Sequence, residues 1–301
     1  TTASSKMRRV VLGNTKIETS YVGLGTSAAY EGALCPAKLR VEDYPELLRF
    51  GYEQGVTFWD TSLTYETHIA IKEALRDIPR HNVVICSKSV EVSNDSMRKS
   101  VETALREMGT DYIDIFMLHA VRNRFDIWHR RGALESLMEL KEKGCIRAIG
   151  IASHGLGALE KCRELNEVDI ILGRINYSGH LMDCRQDDIK SILAGMPVVK
   201  KILRKMVPTG VFEKAAGTVQ KPVAFEEDRK TALRLFRELH EKGKAIIGMK
   251  IFGEGYLAND VMSAVRYITS LPFVTSIVVG CCSKKEILET VGAINSNTRV
   301  S

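Results

Sequence analysis

Short runs of apolar, often β-branched residues recur along this chain, and most are separated by segments with helical spacing. The runs are Tyr21–Thr26, Val56–Asp60, Asn82–Lys88, Ile113–His119, Ile146–Ile151, Asp169–Ile175, Ala245–Lys250 and Ser276–Gly280. Their apolar positions are continuous rather than alternating, as in strands buried on both faces of a parallel sheet. Between them, Ser96–Met108 places Met97, Val101, Ala104 and Leu105 on one helical face, and Gly132–Lys143 does so with Leu134, Leu137, Met138 and Leu140. Gly109 and Gly144 follow where a helix C-terminus takes a left-handed residue. Ser283 opens the last helix, and Glu286 three positions on completes a capping box that folds its carboxylate back to the Ser283 amide.

Strand–helix repeats of this number predict a (β/α)8 barrel, an α/β fold of the TIM type. Val10–Tyr21, with Gly13-Asn14 at its middle, predicts an N-terminal β-hairpin that covers the barrel floor. No linker divides the chain, so residues 1–301 read as one barrel domain. The irregular part is 176–229, a long excursion between strands six and seven. It contains helical spacing at Asp187–Leu193, a basic patch (Lys200, Lys201, Arg204, Lys205) and the Thr209–Pro222 segment. A flap on the substrate side and a tolerated surface insertion fit it equally well.

Composition narrows the partners. Hydrophobic residues at 45% supply a sizeable core, and no run reaches the ~18 apolar residues of a membrane-spanning helix. The net charge of +6 is dispersed, which speaks against nucleic acid as a partner. Seven scattered cysteines without a C-x-x-C pattern argue against a metal centre or a disulfide framework, and for a reducing, cytoplasmic setting. The first residues, Thr-Thr-Ala-Ser-Ser without a methionine, read as a cloning remnant or as the new N-terminus left by a cleaved export signal.

In such a barrel, chemistry gathers at the C-terminal ends of the strands. Three consecutive runs end on an ionisable group: Asp60, Lys88 and His119, with Tyr65 five residues past Asp60 on the same rim. A charge closing an apolar run is costly unless it has a partner. Three adjacent strand ends carrying an acid, a base and an imidazole therefore point to a site.

Asp60-Thr61-x-x-x-Tyr65, the Lys88 ending Cys86-Ser87-Lys88, and Leu105-x-x-Met-Gly-Thr-Asp-Tyr-Ile-Asp leading to His119 resemble the aldo-keto reductases. The resemblance runs from Gly23-Leu24-Gly25-Thr26 to the last helix. It implies reduction of an aldehyde or ketone by hydride transfer from NAD(P)H, with Tyr65 as general acid and Asp60, Lys88 and His119 around it. Physical chemistry agrees with these roles. A phenol of pKa about 10 is a sluggish acid at neutral pH. An ammonium ~4 Å away, at an effective dielectric of ~20, stabilises the phenolate by about 4 kcal/mol. Lys88 supplies that charge, Asp60 positions Lys88, and His119 hydrogen-bonds the carbonyl oxygen.

On the cofactor side the resemblance implies contacts from Gly25 and Thr26 with Asp60, from Ser153-His154 to the nicotinamide amide, and from Arg174, Met249 and Lys250 at the ends of strands six and seven. His154, Arg174 and Met249 depart from the family's usual asparagine, glutamine and tyrosine. Gly253-Glu254-Gly255 and Gly280-Cys281-Cys282-Ser283-Lys284-Lys285 suit phosphates through close backbone approach and a helix N-terminus. By the same resemblance, Glu289-Thr290 stands where the family has a Glu-Asn pair near the adenine; Glu289 matches and Thr290 does not. Ser283 and the lysines favour NADPH, with NAD possible, whereas Glu286 opposes the 2′-phosphate. No metal is expected, and the partner is a small carbonyl compound met by a monomer or weak homo-oligomer.

Other readings stay open. Gly23-x-Gly25-x-x-Ala28 fits a loose Rossmann fingerprint, but Tyr30–Pro36 is a poor helix start. A barrel can bind a nicotinamide cofactor as a sensor with little turnover. Lys88 could also serve an aldolase-type Schiff base. Cys281-Cys282 and Trp59 read as packing, Trp128 and His129 as an exposed face, and the Ser27–Val41 and Ala120–Ile127 loops as determinants of specificity.

Overall fold

The computed structural model describes residues 7–29, 39–153, 155–180, 182 and 226–297. Most of the excursion read between strands six and seven, including all three of its segments, lies outside them, as do His154 and Tyr30–Pro36.

A short antiparallel hairpin comes first, β1 (Arg9–Val11) and β2 (Glu18–Ser20). Eight parallel strands follow: β3 (Val22–Gly25), β4 (Phe58–Asp60), β5 (Val84–Ser89), β6 (Ile113–Val121), β7 (Ile146–Ser153), β8 (Ile170–Arg174), β9 (Ala245–Met249) and β10 (Ser276–Gly280). They pair in chain order and close between β10 and β3. The fold is the (β/α)8 barrel, and Gly23 and Gly25 belong to its first strand rather than to a nucleotide-binding loop. The outer layer comprises α1 (Tyr44–Glu53), α2 (His68–Ala74), α3 (Asn94–Met108), α4 (Arg124–His129), α5 (Arg131–Glu142), α6 (Leu156–Cys162), α7 (Glu226–Glu241), α8 (Val261–Thr269) and α9 (Lys284–Asn297). Among the described residues no helix is long and apolar enough to cross a membrane.

Two apolar cores result from the alternation of side chains along each strand. Trp59, Ile85, Phe116 and Leu118 belong to the layer between barrel and helices. Phe58, Cys86, Ile115 and Met117 belong to the barrel interior. Leu12 and Ile17 of the hairpin, both fully buried, join the interior set and close the floor, as the sequence predicts. Between them Gly13 adopts φ +52, and a Cβ there would sit 2.5 Å from the Gly243 carbonyl oxygen. Only glycine permits that approach.

Some boundaries differ from expectation. Helix α3 starts at Asn94 because Ser93 caps it, accepting the Ser96 amide at 3.2 Å. The stretch Ala120–Ile127 is not a simple loop: β6 continues to Val121, and Asn123 caps the separate helix α4 by accepting the Phe125 and Asp126 amides at 3.0 Å. Trp128 is exposed and Trp59 buried, as read. The described cysteines are all free, and Cys281 packs inward.

If the hairpin plugs the barrel, Leu12→Ala should cost about 3 kcal/mol in urea unfolding. Val11→Ala, at a side chain 53% exposed, should cost less than about 0.5 kcal/mol. Equal, small effects would show that the hairpin does not carry core packing.

Candidate active site

The same alternation that fills the interior also builds the site. Phe58 points inward, so Asp60 two residues on does too; Cys86 brings Lys88 inward, and Met117 brings His119. These side chains end the inward-facing rows at the mouth in a staggered order: Gly25 pairs with Asp60 and with Gly280, Asp60 with Cys86, Lys88 with Met117, and Arg174 with Met249.

Lys88 is 2% exposed and Asp60 5%. The ammonium donates to Asp60 Oδ1 and to the Thr61 carbonyl, each at 2.6 Å, and lies 5.4 Å from the Tyr65 ring centroid. Burial opposes the Lys88 charge, but Asp60 and Tyr65 outweigh it and hold its pKa above the ordinary value. Tyr65 ends a short 3-10 turn, Leu63–Tyr65, and its hydroxyl is 3.4 Å from His119 Nε2. The four residues picked from the sequence thus form one cluster.

His119 sits where the β6–β7 ladder slips between Leu118 and Val121, and Ala120 takes φ +53. Such a bulge re-aims a side chain at a barrel rim. The buried Arg130 braces it, donating to the carbonyls of His119 and Ser89 at 2.8 Å and of Glu91 at 3.1 Å. Burial, then the Lys88, Arg130 and Lys250 cations, push His119 down to about 3, so its imidazole is neutral at neutral pH. Sequence reasoning missed Arg130, which looks like any other arginine of the 122–131 stretch. It also missed Ser62, whose hydroxyl lies 3.0 Å from His119 Nδ1.

The residues assigned to the cofactor are arranged less uniformly. Ser153 is out of phase with the inward layer: its hydroxyl donates to the Val121 carbonyl at 2.9 Å and accepts the Gly155 amide at 3.1 Å. Arg174 and Met249 pair across β8 and β9. Lys250 forms an ion pair with Glu254, and Arg174 lies 4.0 Å from the same carboxylate. Lys250, Gly253, Glu254 and Gly255 all have positive φ, which makes a tight backbone turn on the rim. Gly280 pairs with Gly25, and a Cβ on Gly280 would meet nothing within 4 Å, so backbone is open to approach there. On α9, Ser283 accepts the Glu286 amide at 3.3 Å, but the Glu286 carboxylate accepts the Cys282 amide at 2.7 Å, one residue before the expected return bond. Lys284 pairs with Glu46 of α1 at 2.6 Å, and Lys285 lies 3.7 Å from Glu289. Thr290 is 3% exposed beside Cys281 and so is packed inward.

Comparison with known proteins bears on this arrangement. Residues 22–299 match the aldo/keto reductase family. The NADH-specific methylglyoxal reductase of Escherichia coli (strain K12) is 28% identical over 61% of this chain and 65% of its own length. The chain spans roughly half to two thirds of the curated relatives it matches. A crystal structure of a Pseudomonas aeruginosa protein assigned to the aldo-keto reductases has a TM-score of 0.71 at 19% identity, covering 99% of both chains. That of a Bombyx mori aldo-keto reductase in complex with NADP has a TM-score of 0.64 at 11% identity, covering 98% of this chain and 92% of that one. At such identities the likeness is one of fold.

The depressed His119 pKa has a consequence for stability. An unfolded chain binds a proton on histidine near pH 6.5, whereas folded His119 does so only near pH 3. Its contribution is therefore complete above pH 6.5 and is lost as pH falls from there towards 3. Buried His68, also depressed chiefly by burial, acts in the same direction. Between about pH 7 and about pH 4.5, the parent should lose roughly 2–3 kcal/mol more unfolding free energy than His119→Asn. An identical pH dependence in the two proteins would contradict a neutral, buried imidazole.

Proposed function

Because the chain belongs to the aldo/keto reductase family, we propose that it is an NAD(P)H-dependent oxidoreductase that reduces the carbonyl group of a small aldehyde or ketone. The observation that carries this reading is the buried Lys88–Asp60 pair beside the Tyr65 ring, with His119 Nε2 3.4 Å from the Tyr65 hydroxyl. That arrangement suits a proton donor aimed at a substrate oxygen.

A bound reduced nicotinamide would supply the hydride. The rim fits such a group: open backbone at Gly280 next to Gly25, the N-terminal turn of α9 with Ser283–Lys285, and the turn through Gly253 and Gly255. Arg174 and Met249 end their strands at the mouth, with Lys250 next in the chain, whereas Ser153 faces away from the inward layer. Tyr65 gives its proton to the carbonyl oxygen as the O–H bond breaks, and Lys88 stabilises the phenolate left behind. Asp60 fixes Lys88 and keeps it charged. His119 is neutral, so it completes the pocket wall as a hydrogen-bonding group and adds no second charge.

Tyr65→Phe should lower carbonyl reduction by roughly 10²–10⁴-fold while cofactor affinity stays near the parent value. The readout is nicotinamide oxidation with a panel of simple aldehydes. A rate within tenfold of the parent would remove Tyr65 from the acid role. Cofactor binding without turnover in the parent itself would instead favour a nicotinamide-binding sensor.

Cofactor choice rests on the α9 end. Ser283, Lys284 and Lys285 favour a 2′-phosphate, while Glu46 and Glu286 oppose it. The balance leads to an NADPH preference on the order of tenfold, about 1.4 kcal/mol. Glu46→Gln frees Lys284 and should tighten NADPH binding severalfold while leaving NADH unchanged, as read by tryptophan fluorescence titration. Tighter NADH than NADPH binding in the parent would mean that the carboxylates dominate.

A further inference from the structure

Strand β4 ends at Asp60, while its neighbour β5 runs on to Ser89. The Cys86 carbonyl on the β4 side accepts the Thr61 amide at 2.8 Å. Two residues further, the Lys88 carbonyl faces the same side, beyond the last residue of β4. Ser62 Oγ lies 3.1 Å from it and continues the ladder with a side-chain hydroxyl. A carbonyl only accepts, so Ser62 donates its single proton there, and a buried carbonyl is costly to leave unpaired.

That commitment decides the neighbouring contact. Ser62 Oγ is also 3.0 Å from His119 Nδ1, and with its own proton spent it can only accept from the ring. The Thr64 amide donates to one Ser62 Oγ lone pair at 3.3 Å and leaves the other for the ring; the Thr64 hydroxyl, 3.0 Å away, has a proton of its own and needs none from Ser62. Among the described residues, the charges that act on the imidazole are cations, Lys88 on β5, Arg130 just before α5 and Lys250 after β9, of which Lys88 and Lys250 are themselves paired with Asp60 and Glu254. Double protonation is therefore disfavoured, and one ring proton remains to be placed.

We propose that Ser62 is a positioning residue that fixes His119 as the neutral Nδ1–H tautomer, so that Nε2 turns a lone pair towards the Tyr65 hydroxyl. The rings meet edge-on, at 87° with centroids 5.6 Å apart, and the Tyr65 oxygen is 3.4 Å from Nε2. In the resting protein the phenol then donates to His119. Its consequence for catalysis rests on the carbonyl-reductase reading: His119 holds and aims the proton of Tyr65, in place of donating to the substrate oxygen as the family resemblance implies. When a carbonyl enters, the hydroxyl turns from Nε2 to the substrate oxygen. The ring gains and loses no proton.

The tautomer can be read directly by nitrogen–proton correlation spectra of the full chain labelled with nitrogen-15 histidine, without cofactor or substrate. His119→Asn identifies the signal. The expected spectrum has a protonated Nδ1 and a bare Nε2, unchanged between about pH 8 and about pH 5. Ser62→Ala should shift the proton wholly or partly to Nε2, and Ser62→Thr, which keeps the hydroxyl, should restore Nδ1–H. In turnover, Ser62→Ala should lower kcat severalfold or more with little change in KM, and Ser62→Thr should recover most of it. A protonated Nε2 in the parent, or an unchanged tautomer in Ser62→Ala, overturns the proposal. Should Ser62→Ala fail to fold, the parent and Ser62→Thr spectra still decide it. The expected tautomer in a protein that reduces no carbonyl would sink the reductase reading and leave this one standing.

Discussion

The ion pair between Lys88 and Asp60, enclosed at the top of the barrel, is the constraint around which the rest of the site is arranged. Two charges at 2.6 Å, each at most 5% exposed, carry a desolvation cost that packing apolar residues there would avoid. The barrel tolerates them because the pair is completed by the Thr61 carbonyl and because the layer below, Phe58 and Cys86, excludes water. Neither charge can be removed alone without stranding the other. What the arrangement provides is a fixed cation beside the Tyr65 ring, in a place where solvent does not screen it.

His119 answers the same constraint from the next strand. Its position depends on a bulge with a non-glycine residue at φ +53, a conformation that costs on the order of 1 kcal/mol and persists only when its surroundings over-determine it. Arg130 does so, tying three loop and strand-end carbonyls to one guanidinium. Its charge adds to that of Lys88 in keeping the imidazole neutral. Burial is the larger cause of that neutrality, so Arg130 fixes the position and only adds to the protonation state.

Much of this was legible in the residues. Eight apolar runs of strand length gave the barrel, and the ionisable group ending each of three consecutive runs located the rim. The same alternation, carried one step further, would have put Ser153 out of phase with the inward layer. Contacts between distant segments were not legible. Nothing near Lys284 announces Glu46, which meets it across the seam where β10 closes on β3. The Glu286 carboxylate caps one residue earlier than its spacing suggests, and Arg130 differs from Arg122, Arg124 and Arg131 only in burial. Such features depend on where helices dock, which local pattern does not encode.

The role proposed for Lys88 is to make Tyr65 a competent acid through its buried charge. The most direct measurement is the pH–rate profile of carbonyl reduction for the parent and for Lys88→Met, which keeps the length of the side chain and removes its charge. The account predicts a fall of roughly 10²–10³-fold across neutral pH, with the phenol-dependent limb displaced to higher pH. A profile of parental shape and height in Lys88→Met would contradict it.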